Sequence, residues 1–104
     1  MSGGVQPFVI EGEFSIYRAA ELAAQLQAWI PHALTNDCLV VDLGQVSEMD
    51  SAGLQLLLAL QQCAATASAR FELTAASAPV KEVLRLAALE HWLASDTPPQ
   101  PSAP

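Results

Sequence analysis

The sequence predicts a single α/β domain in which helices cover a mixed or mostly parallel sheet. Strand-like apolar runs alternate with helix-like amphipathic segments along the chain, in the order strand, helix, strand, helix, strand, helix. The chain has 104 residues, of which 52% are apolar. This length supports one hydrophobic core and leaves no room for a second.

The first third of the chain predicts a short strand followed by an amphipathic helix. The strand is expected at residues 8–10, and Gly12 indicates a bulge or tight turn that could precede a second short strand. Ser15 is a good N-cap for a helix that starts at Ile16, where apolar residues begin to recur at helical spacing. Pro31 is expected to end this helix.

The middle of the chain predicts a buried strand, a helix and a more exposed strand. Residues 38–43 are almost continuously apolar, which is typical of a central strand that is buried on both faces. Residues 44–49 are expected to connect this strand to a helix from about Ala52 to about Ala67. Residues 71–74 alternate in polarity and predict a less buried strand.

The last third predicts a third helix, which begins at Ser77 and Pro79 because proline is well tolerated in a first helical turn. Residues 86–93 extend the apolar pattern into a last short helix. We expect a sheet of about four or five strands covered by about four helices. Residues 1–4 are expected to be flexible, and the proline-rich residues 95–104 to be disordered. The predicted buried stripe of the third helix is Val80, Val83, Leu84 and Ala87.

The charge balance narrows the class of partner. Eleven acidic residues against four basic ones give a net charge of −7. Binding to nucleic acids or anionic membranes requires a basic patch, which four basic residues do not form here. A protein partner with basic residues fits the acidic charge better. The longest apolar run, residues 56–60, is far too short for a membrane span. The first four residues lack the features of a secretory signal, so we expect a cytoplasmic protein.

Reactive side chains are few, so we expect a protein that is not an enzyme and needs no metal or other cofactor. Cys38 and Cys63 fall in a predicted strand and helix and fit buried free thiols better than a metal site. His32 and His91 have no predicted partners and are expected to serve surface or packing roles. A phosphate-binding loop, zinc-ligand spacing and a nucleophile elbow are all missing from the sequence.

Ser51 lies where the apolar central strand gives way to the apolar second helix. A helix N-terminus stabilises negative charge, since its first N–H groups lack partners within the helix. Ser51 is therefore either an ordinary helix cap or a place where a phosphate would be stable. Asp50 could supply the cap, and Gly53 would leave the first turn open to close approach. A polar line through Ser51, Gln55 and Gln62 is either plain solvent contact or a docking face.

These residues resemble the STAS domain, the family named for sulphate transporters and anti-sigma factor antagonists. The similarity covers residues 5–94, which we take as the domain, and its most specific element is Asp50-Ser51-x-Gly53-Leu54 after a strand. Supporting matches are Val40-Val41-Asp42-Leu43-Gly44, Ser77-Ala78-Pro79-Val80, the segment 86–89 and Glu11-Gly12-Glu13-Phe14-Ser15.

The resemblance implies a regulated protein contact at Ser51. In stand-alone bacterial antagonists of the family, the serine of this element is phosphorylated by a partner that is both a serine kinase and an anti-sigma factor. By this likeness Ser51 is the phosphoacceptor, and phosphorylation ends partner binding. The expected partner-binding residues are Ser47, Glu48, Met49, Asp50, Ser51, Ala52, Gly53 and Gln55.

The resemblance leaves two other kinds of partner open. The family also includes small cytoplasmic subunits of lipid-transporting ABC systems, as well as members encoded with chemotaxis proteins. Ala52 stands where a second hydroxyl residue often follows in the sporulation-type antagonists, so recognition by a kinase could differ. In an ABC subunit the Ser51 hydroxyl would make a contact without acting as a switch.

Overall fold

Three parallel strands form the sheet of this protein, in the order β1-β2-β3. The computed structural model describes residues 6–93, so the predictions for residues 1–4 and 95–104 lie outside the described residues. The strands are β1 (Phe8–Phe14), β2 (Cys38–Met49) and β3 (Arg70–Ala76). The helices are α1 (Ala19–Leu34), α2 (Ser51–Thr66) and α3 (Ala78–Leu86), followed by a 3₁₀ turn at Glu90–Trp92.

The α/β alternation is confirmed, but within residues 6–93 the sheet has fewer strands than expected. Three α-helices are present instead of about four, since the last predicted helix is a 3₁₀ turn. The segment around Gly12 does not separate two strands. Gly12 adopts a positive φ of 77°, and β1 continues through it with shifts in its register against β2. After the 3₁₀ turn, Leu93 makes only a single parallel bridge with Leu73 of β3. The described sheet is therefore wholly parallel and three-stranded.

Strand β2 is twice as long as predicted, because residues 44–49 belong to it. Residues Cys38 to Leu43 pair with β3, whereas β1 follows β2 from Val41 to Met49. The second half of β2 thus has one neighbouring strand, and its exposed polar residues face water. That polarity led to the incorrect prediction of a connecting loop. β2 thus extends beyond the end of β3 and is followed almost directly by α2.

Helix α1 begins and ends later than the sequence predicted. Ser15 starts a turn instead of the helix, because its hydroxyl accepts the Tyr17 N–H and its carbonyl accepts the Arg18 N–H. Pro31 lies inside the helix and does not end it. The helix continues for another turn, which buries Ala33 in the core. Packing of this last turn overrides the local tendency of proline to stop a helix.

One core joins the sheet to the three helices. Helices α1 and α2 contact each other and β2, while α3 packs against β2 and β3. The predicted stripe of α3 is confirmed at Val80 and Leu84, which are fully buried. Cys38 is buried as expected, but Cys63 is exposed on α2, so its predicted burial is wrong. The fully buried side chains at the centre are Ile10, Phe14, Leu22, Leu39, Val41, Leu43, Leu57, Leu73, Val80 and Leu84.

Within residues 6–93, no helix combines the length and the apolarity that crossing a membrane requires.

Gly53 holds the start of α2 against the end of β1. A Cβ at this position would lie 2.6 Å from the Phe14 carbonyl oxygen, 3.0 Å from the Phe14 ring and 3.2 Å from the Met49 side chain. The first of these contacts is with backbone, which cannot move aside cheaply. Gly53 is buried, so the interpretation that it opens the first turn to an approaching molecule is wrong. Glycine is needed here because the strand and the helix pack so closely.

We predict that Gly53→Ala destabilises the domain by about 1–2 kcal/mol, since the enforced overpacking outweighs the better helix propensity of alanine. Urea unfolding measures this loss. Gly44→Ala is the matched control, because its nearest contacts, at 3.2 and 3.3 Å, are with side-chain atoms of Ala75 and Asp42. A smaller effect at Gly53 than at Gly44 would contradict the packing argument.

Candidate functional site

Asp50 connects the start of α2 to the turn that follows β1. It is the single residue between β2 and α2 and serves as the N-cap of the helix, as the sequence predicted. One carboxylate oxygen, Oδ1, accepts the N–H groups of Ala52 at 2.8 Å and Gly53 at 3.3 Å. The other, Oδ2, accepts the N–H of Ile16 at 3.1 Å. One side chain therefore fixes two segments that are distant in sequence.

These hydrogen bonds favour the ionised form of Asp50. The Ile16 N–H is the largest cause that lowers the pKa of the Asp50 carboxyl below its ordinary value, and the Gly53 and Ala52 N–H groups add to the effect. Partial desolvation opposes the shift without reversing it. Asp50 is consequently a stable anion at neutral pH, placed at the positive end of the α2 dipole.

Ser51 is the first residue of α2 and is exposed. Since the Asp50 carboxylate caps the helix, the Ser51 hydroxyl is not the cap. Within residues 6–93, the structure gives this hydroxyl no hydrogen-bond partner. The first of the two interpretations that the sequence left open, an ordinary cap, is thereby removed. Ser51 presents its hydroxyl to solvent next to a helix N-terminus.

The other predicted partner-binding residues differ in how far they reach the surface. Residues 47–49 belong to β2 and not to the connecting loop that was expected, and residues 51–53 belong to α2. Ser47, Glu48 and Gln55 are exposed, whereas Met49 and Ala52 are half-buried. Gly53 is buried and packs against the end of β1. The structure thus keeps the exposed residues around Ser51 as candidates and assigns Gly53 to packing.

A shallow, mostly apolar depression adjoins Ser51, and sequence reasoning missed the α3 residues that line it. The depression has a volume of about 300 Å³. Leu86 is its most exposed apolar residue, with 72% of its surface accessible to solvent. The sequence signal was present, because Leu86 lies outside the buried stripe of α3. The depression is lined by Asp50, Ser51, Leu54, Val83, Leu86 and Ala87.

On the other side of Asp50 lies the turn between β1 and α1. Ile16 was expected to start the first helix, but it lies in the turn before α1 and is exposed, and Tyr17 is more exposed still. The turn is held in place by the Ile16–Asp50 hydrogen bond and by Arg18. The Arg18 guanidinium donates to the carbonyls of Glu11 and Glu13 in β1. The backbone that bears the exposed Ile16 and Tyr17 side chains is therefore held by hydrogen bonds.

The remaining reactive side chains do not join this site. His32 lies in the last turn of α1 and His91 in the 3₁₀ turn, and neither lines the depression beside Ser51. Both cysteines are free thiols. Among the described residues 6–93, no three His, Cys, Asp or Glu side chains are grouped so that they could hold a metal ion.

We predict that Asp50→Ala lowers the melting temperature, because it removes the acceptor for the Ile16, Ala52 and Gly53 N–H groups. Asp50→Asn is the milder control, since its amide oxygen still caps a helix. The pH dependence has a defined sign. Because the pKa is lower in the folded state, the contribution of the charge is complete above the ordinary value of about 3.9 and is lost as pH falls further.

Melting temperatures of the wild-type chain and Asp50→Asn, compared between pH 7 and pH 3, measure this loss. We expect the difference between the two to shrink on acidification. A difference that grows as pH falls would contradict a stabilising Asp50 carboxylate.

Two comparisons with known proteins agree with this architecture. A family model described as "Mlab, STAS domain" matches residues 3–95. The solved structure of the anti-sigma factor antagonist SpoIIAA in its unphosphorylated form superimposes with a TM-score of 0.64 at 22% sequence identity. The match covers 86% of this chain and 81% of that one, and it shows a shared fold. The family match spans nearly the whole sequence, and this chain therefore belongs to the STAS domain family.

Proposed function

We propose that this chain is a cytoplasmic, non-enzymatic protein-binding domain whose docking surface is centred on Ser51. The proposal rests on one observation, the exposed Ser51 hydroxyl. This hydroxyl does not cap α2, because the Asp50 carboxylate does so. A hydroxyl in this position is accessible to a partner protein. The scarcity of other reactive groups around it supports a binding role over catalysis.

Phosphorylation of Ser51 is the first mechanism that we propose for regulating this contact. A phosphate adds about −1.5 to −2 charges at neutral pH. The N-terminus of α2 would tolerate that charge, so the fold would survive. A partner docked over Ser51 would instead meet a bulky dianion next to the exposed carboxylates of Asp50 and Glu48. The expected consequence is loss of binding without loss of structure.

A second candidate function is a constitutive subunit of a lipid-transporting ABC system. The matching family model bears the name Mlab, whereas the likeness to the antagonist is one of fold. The second candidate draws on the family match alone and needs no likeness to the antagonist. In that case Ser51 contacts the partner permanently, and the hydroxyl is never modified. A chemotaxis-type signalling partner belongs to the first mechanism, because it too would use Ser51 as a switch.

We predict that Ser51→Asp weakens binding of the protein that co-purifies with the tagged wild-type chain from its own cell by at least tenfold. The melting temperature should change little, because Asp at a first helical position is favourable. Ser51→Ala is the matched control, since it removes the hydroxyl without adding charge. Native affinity of Ser51→Asp for the purified partner would contradict a docking surface centred on Ser51.

Mass spectrometry of the chain from its own cell separates the two mechanisms. A phosphate on Ser51 in a fraction of the molecules supports the switch. A chain that is unmodified throughout growth, yet bound to its partner, supports the constitutive subunit. Loss of binding in Ser51→Ala would further indicate that the hydroxyl itself makes a contact.

A further inference from the structure

The most exposed large apolar side chains of the described residues all flank the same site. Tyr17 is 87% exposed, Leu86 72% and Ile16 66%, compared with 47% for Val9 and 38% for Leu58. Ile16 adjoins the Asp50 carboxylate through its backbone, and Leu86 lines the depression beside Ser51. Exposed apolar groups that gather in one place, instead of being scattered singly, indicate an interaction surface.

The two flanks of the site are the turn at Ile16 and Tyr17 and the depression that Leu86 lines, and they offer different shapes to a partner. On one side, Tyr17 projects from a turn whose backbone is fixed by Asp50 and Arg18. On the other side, the depression between α2 and α3 has an apolar floor and could receive a side chain from the partner. Tyrosine is among the residues that most often dominate the affinity of an interface, and such residues cluster in well-packed pockets.

The charges around this surface select the chemistry of the partner. Glu13 and Glu48 face each other across β1 and β2, and both are exposed close to Asp50. The nearby arginines are already occupied by neighbouring carboxylates, since Arg18 pairs with Glu21 at 3.7 Å and Arg85 with Glu82 at 2.6 Å. Glu13, Glu48 and Asp50 thus form an acidic rim around the surface, in keeping with the net charge of −7. A second copy of the chain would bring like charges together.

We propose that Ile16, Tyr17, Leu54, Val83, Leu86 and Ala87 form one docking surface for a protein that inserts an apolar side chain flanked by lysine or arginine. This inference rests on the proposed function and adds to it the chemistry of the partner's contact surface. Tyr17 and the depression supply the affinity, and the acidic rim supplies orientation and speed of association. Ser51 lines the depression and follows Asp50, which holds the turn at Ile16. A phosphate there would keep the apolar surfaces apart by its bulk and hydration, and we expect this steric effect to exceed its attraction for the basic groups of the partner.

Titration of the purified partner, first retrieved with the tagged wild-type chain, tests the surface. We expect Tyr17→Ala and Leu86→Ala each to weaken binding about tenfold or more, with unchanged melting temperatures. Leu58→Ala, an exposed leucine of α2 outside the depression, is the matched control and should bind like the wild type. Affinity should also fall as salt is raised from 0.05 to about 0.5 M, because the rim interaction is screened.

The outcomes separate this inference from the proposed function. If Ser51→Asp loses the partner while Tyr17→Ala and Leu86→Ala bind normally, the docking surface is overturned and the proposed function stands. If both apolar variants lose the partner while Ser51→Asp binds normally, the surface stands and the role of Ser51 falls. Affinity that is insensitive to salt overturns the basic character of the partner. A wild-type chain that retrieves no partner overturns both proposals.

Discussion

The carboxylate of Asp50 is the group on which the structure around Ser51 depends. Its two oxygens are divided between the N-terminus of α2 and the turn after β1. The first contact starts the helix, and the second fixes Ile16 and its exposed neighbour Tyr17. A single charged group thus determines the positions of Ser51 and of the turn beside it. Because the acceptor is an anion, these hydrogen bonds are stronger than those between neutral groups.

The position of the Asp50 carboxylate follows from the length of strand β2. β2 extends beyond β3 with β1 as its only neighbour among the described strands, so its end is open to the two segments that Asp50 joins. The backbone reinforces the junction, since the Asp50 N–H donates to the Phe14 carbonyl at 3.3 Å. That same carbonyl oxygen is the atom that would obstruct a Cβ at Gly53. Strand pairing, the glycine and the cap therefore act on the same few atoms.

The sequence predicted the features of the site that are local along the chain. Capping by Asp50 was predictable because the acceptor and its donors, Ala52 and Gly53, are neighbours in sequence. The hydrogen bond from Ile16 was not, since Ile16 and Asp50 are 34 positions apart in the chain. The packing role of Gly53 in α2 stayed hidden for the same reason, because its obstructing neighbour, Phe14, lies at the end of β1, far earlier in the chain. Likewise, the end of β2 looked like a loop because a strand with one neighbour needs few apolar residues.

The division of the Asp50 carboxylate between two segments can be measured directly by NMR. The backbone amide resonances of Ile16, Ala52 and Gly53 should shift together as the pH is lowered, because all three donate to the same ionising group. We expect the three titrations to share one midpoint, below the ordinary aspartate pKa of about 3.9. An Ile16 amide that does not respond, or a midpoint at or above that value, would contradict this division of the carboxylate.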